Sequence, residues 1–378
     1  MALCNLLVPW ISFLWVLFLV ITLLGVTFGY LDAGLQGVIL KIWGPSASRP
    51  LIYLYHFTVG VGGFVAPFIA EPFLAMEYGE VGVDPECLRS DSNGVKQSSA
   101  NQSNYTTTQL ATTTFAKKFN PVGWTYIIIG AYFVVATMAT IMLACLKADR
   151  KSFSSFDQSR AVKVEKRAEE PLCDVIYVFI PVLGYFFCGV GNEILFSSFI
   201  YSVSVCSDLR FSISQAAQIN SLYWVGFFLG RGLGIFAASY VKPRSISVIS
   251  IAGTIVMMVL MVTLGQSFHA VSWIVSVGHG FFVGPLYPSG VTWLSQVTNV
   301  SGKYMTIFIL GGTLGCVVAL PLGGLLFQSS PFNVMYLACA LSCANALCFA
   351  GAIWANKRHK KLRYVNADAC LRGTDDET

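Results

Sequence analysis

Charge is what this chain of 378 residues has least of. Only 11% of its residues are Asp, Glu, Lys or Arg, and 55% are hydrophobic. That is too little charge for the surface of an ordinary soluble domain. Catalytic signatures are missing as well: no HExxH, no P-loop, no GxSxG nucleophile elbow and no paired CxxC. Glycine-rich runs such as Gly230-Arg-Gly-Leu-Gly234 fall inside apolar stretches, where they cannot cradle a nucleotide. The reading is therefore of a non-enzyme with no resident metal or organic cofactor. The eleven cysteines add little. Most lie in apolar stretches as small packing residues, and Cys87 with Cys206 is the pair read as lying outside, bonded or free.

What is present is a series of nine long apolar runs: Pro9–Trp43, Leu51–Glu71, Val122–Leu146, Val175–Val203, Ser214–Val241, Ser245–Leu264, Val271–Leu294, Tyr304–Phe327 and Asn333–Ala355. A helix rises about 1.5 Å per residue and the hydrocarbon core is roughly 30 Å thick, so each run is long enough to cross. Barrel strands are about half as long and alternate in polarity, so these runs predict an all-α membrane bundle. Eighteen Lys and Arg residues fall in one alternating set of gaps and the tail, against five in the other set. The positive-inside rule assigns the first set to the cytosol. The net charge of +5 is thus a mark of topology, and no nucleic-acid partner is expected.

This predicts residues 1–146 as three spans with an outer loop at 77–121 and 147–172 as a basic cytosolic loop. Residues 173–356 follow as six spans and 357–378 as a cytosolic tail. The outer loop holds two sequons, at Asn101 and Asn104, on the face where glycans are added. The whole reads as a multi-pass protein of the plasma membrane.

Charges at membrane depth are costly and tend to be functional. Three lie well inside the spans: Asp32, Glu193 and Arg231. Gly25, Gly29, Asp32 and Gln36 share one helical stripe, and the glycines are expected to admit a close neighbour. Asp32 could then carry a proton, ligate sodium, or pair with a base from another helix. His56, Gly60, Gly63 and Pro67 share a face of the next helix, where the imidazole could meet a solute or a carbonyl. Glu193 follows Asn192 in a stretch with Pro181, Gly184, Gly189 and Gly191. There a broken helix with freed carbonyls, or a simple kink, is expected. Asn220, Trp224 and Arg231 share a face of the fifth span. The amide suits a polyhydroxylated solute and the indole offers a flat apolar platform. Arg231 is read as a structural or gating residue. The pairs Gly226/Gly230, Gly230/Gly234, Gly280/Gly284 and Gly311/Gly315 are small-residue packing patterns.

Several of these runs resemble one family. Gly29-Tyr-Leu-Asp32-Ala-Gly-Leu-Gln36, ending Lys41-Ile-Trp-Gly44, is similar to the fourth helix of the major facilitator superfamily's domain-containing-4 group, which includes sodium-dependent glucose transporters. His56-Phe-x-x-Gly60-x-Gly-x-Phe64-x-Ala-Pro67 resembles its fifth helix, and Asn220-Ser-x-x-Trp224 through Gly230-Arg231-Gly-Leu its eighth. Pro288-Ser-Gly-Val-x-Trp293, with Gly302-Lys303 after it, resembles the tenth helix and its loop. The same acidic turn is similar to that of bacterial fucose permeases, where the matching acid belongs to the proton-coupling machinery. The group's Asp-Thr-Gly-Gly-Asn is here Asp32-Ala-Gly-Leu-Gln36, so solute and ion choice are expected to differ.

The resemblance starts at the fourth of twelve helices. It implies an incomplete first half and a complete six-helix second half. It also implies secondary active transport of a hexose-like solute, coupled to sodium or protons. Asp32 and Glu193 would bind the coupling ion; Gln36, His56, Asn192, Asn220 and Trp224 would line the solute path. The alternative is a truncated, non-transporting membrane partner that associates with a full-length transporter.

Overall fold

The computed structural model describes residues 1–78, 121–148, 172–297 and 302–375. The sequons at Asn101 and Asn104, most of the basic loop 147–172, and Cys87 lie outside them; Cys206 is disulfide-bonded.

The described residues are helical and without strands. In order they form α1 (Ala2–Leu7) with a 3-10 turn Val8–Trp10, α2 (Leu14–Ala47), α3 (Arg49–Tyr78) and α4 (Gly123–Ala148). After these come α5 (Leu172–Cys206), α6 (Ile213–Tyr240), α7 (Pro243–Leu264), α8 (His269–Val283), α9 (Leu286–Val297), α10 (Gly302–Ser329) and α11 (Asn333–Asp375). Eight stretches among them are long and apolar enough to cross a membrane, α8 and α9 counting as one. The remaining predicted span, Leu51–Glu71, lies within α3. This is the all-α membrane bundle the apolar runs demand.

Local signals set several ends. Gly44 takes φ +71°, a conformation that a side chain disfavours, and it closes the helical part of α2 just after Trp43. Ser212 and Gln215 start α6 with a capping box: each side chain accepts a hydrogen bond from the other's backbone N–H. Pro243 opens α7 at a position whose N–H a helix does not use.

Helix continues past the last predicted span: α11 runs on to Asp375, through most of 357–378. Lys357 to Arg363 and the Asn-Ala-Asp-Ala run are compatible with helix, and no proline stops them. Arg358 lies over the Trp354 ring, 5.4 Å from its centroid.

One expectation needs correction, the broken helix. α5 is continuous through Pro181, Gly189 and Gly191. The break falls instead in the seventh predicted span, between α8 and α9 at Gly284-Pro285. A lone proline removes one helical hydrogen bond, which packing can offset. Pro285 and Pro288 remove two donors within one turn, next to a glycine, and there the helix parts.

The chain divides into two compact units, residues 1–28 with 65–154, and residues 29–64 with 155–378. In the first, α1 packs on α4, with Leu6 against Gly130. In the second, α10 and α11 pack on α5, α8 packs on α6 and α7, and α11 also packs on α7. Phe186, Phe196, Ile219, Tyr223, Phe227 and Met258 are in its core. The glycine patterns explain the closeness. A Cβ at Gly226 or Gly230 would strike the backbone carbonyls of Val277 and Phe281, and one at Gly280 or Gly284 the carbonyls of Tyr223 and Phe227. Gly311 and Gly315 meet the carbonyls of Leu183 and Phe187 in the same way.

Candidate functional site

The second unit brings together residues from α2, α3, α5, α6 and the α8–α9 break. Asp32 is half-buried on α2. Its Oδ1 accepts hydrogen bonds from Gln36 Nε2, one turn on, and from the Tyr55 hydroxyl on α3, each at 2.8 Å. Among the described residues no side chain bonds Oδ2. Gln36 is fully buried, and its Oε1 has no partner. The carboxylate is thus fixed on one edge and open on the other. That arrangement suits an acid that must exchange a proton or a cation rather than one locked into a permanent ion pair.

Tyr55 leads to His56, their rings 5.0 Å apart, and His56 to Tyr287 at 4.8 Å. The imidazole is buried, and its Nε2 has no hydrogen-bond partner. Arg231 sits deeper, only 4% exposed. Its Nη1 donates to the His56 carbonyl at 2.9 Å and its Nε to the Gly284 carbonyl at 3.1 Å. Its Nη2 lies 3.5 Å from Glu193 Oε1, and its guanidinium carbon lies 4.0 Å from the Phe227 ring centroid. Pro288 explains the second contact. It lacks the N–H that would bond Gly284 in a continuous helix, so that carbonyl is free for arginine. One guanidinium thereby joins α3, α5, α6 and the break. A small cleft, lined by Glu193, Tyr185 and Tyr287 among others, opens beside the pair.

The other candidates are placed more variously. Trp224 is half-buried, edge-on to Tyr223 and Phe227, with its ring against Gly63 of α3. Asn220 Oδ1 is buried without a partner. Asn192 is not brought to the Asp32 group: its amide donates to Ser342 Oγ at 2.9 Å, toward α11. The glycine expectation on α2 fails, because a Cβ built at Gly25 or Gly29 meets nothing within 4 Å. Sequence reasoning missed Tyr55 and gave Tyr287 no role. Adjacency to His56 and the flanking Pro285 and Pro288 were their only signals.

Residues 181–367, which hold Glu193, Arg231 and the α8–α9 break, match the Major Facilitator Superfamily. The C-terminal half is thus similar to Major Facilitator Superfamily domains. The similarity to curated relatives runs further, across most of the chain, and is the same group that the Asp32 and His56 motifs resemble. Sodium-dependent glucose transporter 1 of Xenopus laevis is 28% identical over 348 residues, 90% of this chain and 64% of that protein. The Homo sapiens protein of the same name is 27% identical, over 91% of this chain and 62% of its own length. Major facilitator superfamily domain-containing protein 4A of Mus musculus is 22% identical over 92% of this chain and 75% of its length. The chain therefore spans about two thirds of the length of such relatives. Among solved structures, the crystal structure of the superfamily transporter FucP in the outward conformation overlays 82% of this chain and 72% of its own, at TM-score 0.46 and 16% identity.

Proposed function

We propose that this chain performs secondary active transport of a hexose or similar small polar solute, coupled to sodium or protons by alternating access. One observation carries the reading: an acid at membrane depth, Asp32, is gripped by Tyr55 and Gln36 through a single oxygen while the other stays available. The names of the similar proteins, sodium-dependent glucose transporters among them, support a sugar and a cation. Asp32 is the coupling residue, with Glu193 as a second acid held by Arg231. Gln36, His56, Asn220 and Trp224 line the solute path, and Arg231 serves as a structural or gating residue. The chain works at the plasma membrane, with Asn101 and Asn104 glycosylated on the outer face.

The test is uptake of labelled glucose into vesicles containing the purified chain, under an imposed sodium gradient or pH gradient. Asp32→Asn should lower gradient-driven uptake by about tenfold or more, a change of ~1.4 kcal/mol, while the protein still inserts. Gradient-driven uptake equal to the unsubstituted chain would remove Asp32 from the mechanism.

A second reading is a membrane partner that binds and modulates a full-length transporter. In that case vesicles with this chain alone take up no more sugar than empty ones, and the chain co-purifies with a full-length relative.

A further inference from the structure

His279 is fully buried, and neither of its ring nitrogens has a hydrogen-bond partner. Buried polar groups are almost always satisfied, by protein or by ordered water. Ser276 and Ser272 lie one and two turns earlier on the same face of α8, fully buried, and their hydroxyls have no partner either. Helical serines at membrane depth commonly bond the carbonyl four residues back, as Ser204 does with Ile200 at 2.7 Å. Ser272 and Ser276 do not.

The neighbouring helix supplies a fourth such group. α6 and α8 run side by side in the same direction, since Gly226 faces the Val277 carbonyl and Gly230 faces the Phe281 carbonyl one turn further along both. One turn back from Tyr223, Asn220 comes to the level of Ser276, and its Oδ1 is buried and unpartnered. Aromatic rings flank the imidazole, Phe196 at 4.4 Å and Tyr223 at 6.2 Å between centroids.

The geometry points to a hydration site inside the C-terminal half: ordered water seated on His279, Ser276 and Asn220 and reached past Ser272. Hydroxyls, an amide oxygen and an imidazole offer both donors and acceptors, a mixture that water matches. Lys242 and Arg244 set the start of α7 on the cytosolic side, so the turn into α8 faces outward. His279 lies ten residues into α8, about 15 Å from that end, near the middle of a hydrocarbon layer roughly 30 Å thick. Solvent would thus reach the membrane midplane within one half of the protein, whether or not the chain transports a solute.

Hydroxyl-radical footprinting by brief X-ray exposure tests this on the unmodified chain in lipid nanodiscs, because radicals born from an internal water oxidise the side chains beside it. Phe196 and His279 should be oxidised several-fold faster than Phe236, an outward-facing ring that is 69% exposed in the protein and would lie against lipid. Oxidation of both at or below the rate of Phe236 overturns the proposal. His279→Phe should bring Phe196 down to the rate of Phe236, and His279→Gln should leave it raised. An unchanged rate at Phe196 in His279→Phe would also overturn it. Should that variant not fold, the measurement on the native chain still decides.

Discussion

Two glycine-bearing helices of this chain end in opposite surroundings. On α8, Gly280 and Gly284 lie against the backbone of α6, whose own Gly226 and Gly230 reciprocate. On α2, Gly25 and Gly29 face open space. The wider environments follow suit: most of the stretch His269–Gln296 is buried, whereas Leu14–Gly44 is almost wholly unburied. Small residues permit close approach but do not create it. In lipid, where tails are as apolar as leucine, helices associate through backbone-distance packing, and that needs smooth faces on both partners. α6 and α8 carry matching faces. Among the described residues α2 meets no such face, so its glycines mark possibility and not contact.

The contrast can be broken by substitution, and the largest effect belongs to α8. Gly280→Leu would drive a side chain into the Tyr223 carbonyl. It should cost about 3 kcal/mol or more, the upper range for overpacking, because backbone cannot step aside. Thermal denaturation in detergent should show a much lowered midpoint or no folded protein. A midpoint unchanged from the parent would mean that α6 and α8 are not in contact.

Arg231 is next. Arg231→Leu leaves Glu193 buried without its cation and two carbonyls without their donor, and breaking such a pair costs roughly 3–5 kcal/mol. Adding Glu193→Gln should recover part of the loss, since the two residues act as one unit. If the double variant is as unstable as the sum of the singles, the pair is not coupled. The smallest effect sharpens the comparison from the other side. Gly29→Ala on α2 should be tolerated, with a gain of about 0.5–1 kcal/mol from reduced backbone entropy. A loss of stability there would reveal a neighbour at that face.

Much of the architecture was legible because its cause is local. Unbroken apolar length dictates a spanning helix, and lysine and arginine counts orient it. The Asp32–Gln36 hydrogen bond follows from one helical turn and needs no tertiary information. What depended on partners was read less well. Tyr55 reaches Asp32 from a different helix, 23 residues on, a meeting that no local pattern signals. The helix break was expected around Pro181, where proline and glycines are spread along one helix. It occurs where Gly284, Pro285 and Pro288 fall within five residues. The glycines near Pro181 serve contact instead: Gly184 faces Cys348, Gly189 faces Asn345 and Gly191 faces Gly315. Asn192 seemed paired in role with Glu193 by adjacency. Neighbours in a helix point about 100° apart, however, and Asn192 looks toward Ser342 while Glu193 looks toward Arg231.

Arg231 recognises α3 and the α8–α9 break through main-chain oxygens, at His56 and Gly284. Every amino acid offers that same oxygen. The identity of residue 56 can drift across a lineage without slackening this tether, whereas the arginine itself has no substitute of equal reach and fork. Selection on what enters the protein and selection on what holds it together therefore act at one position through different atoms.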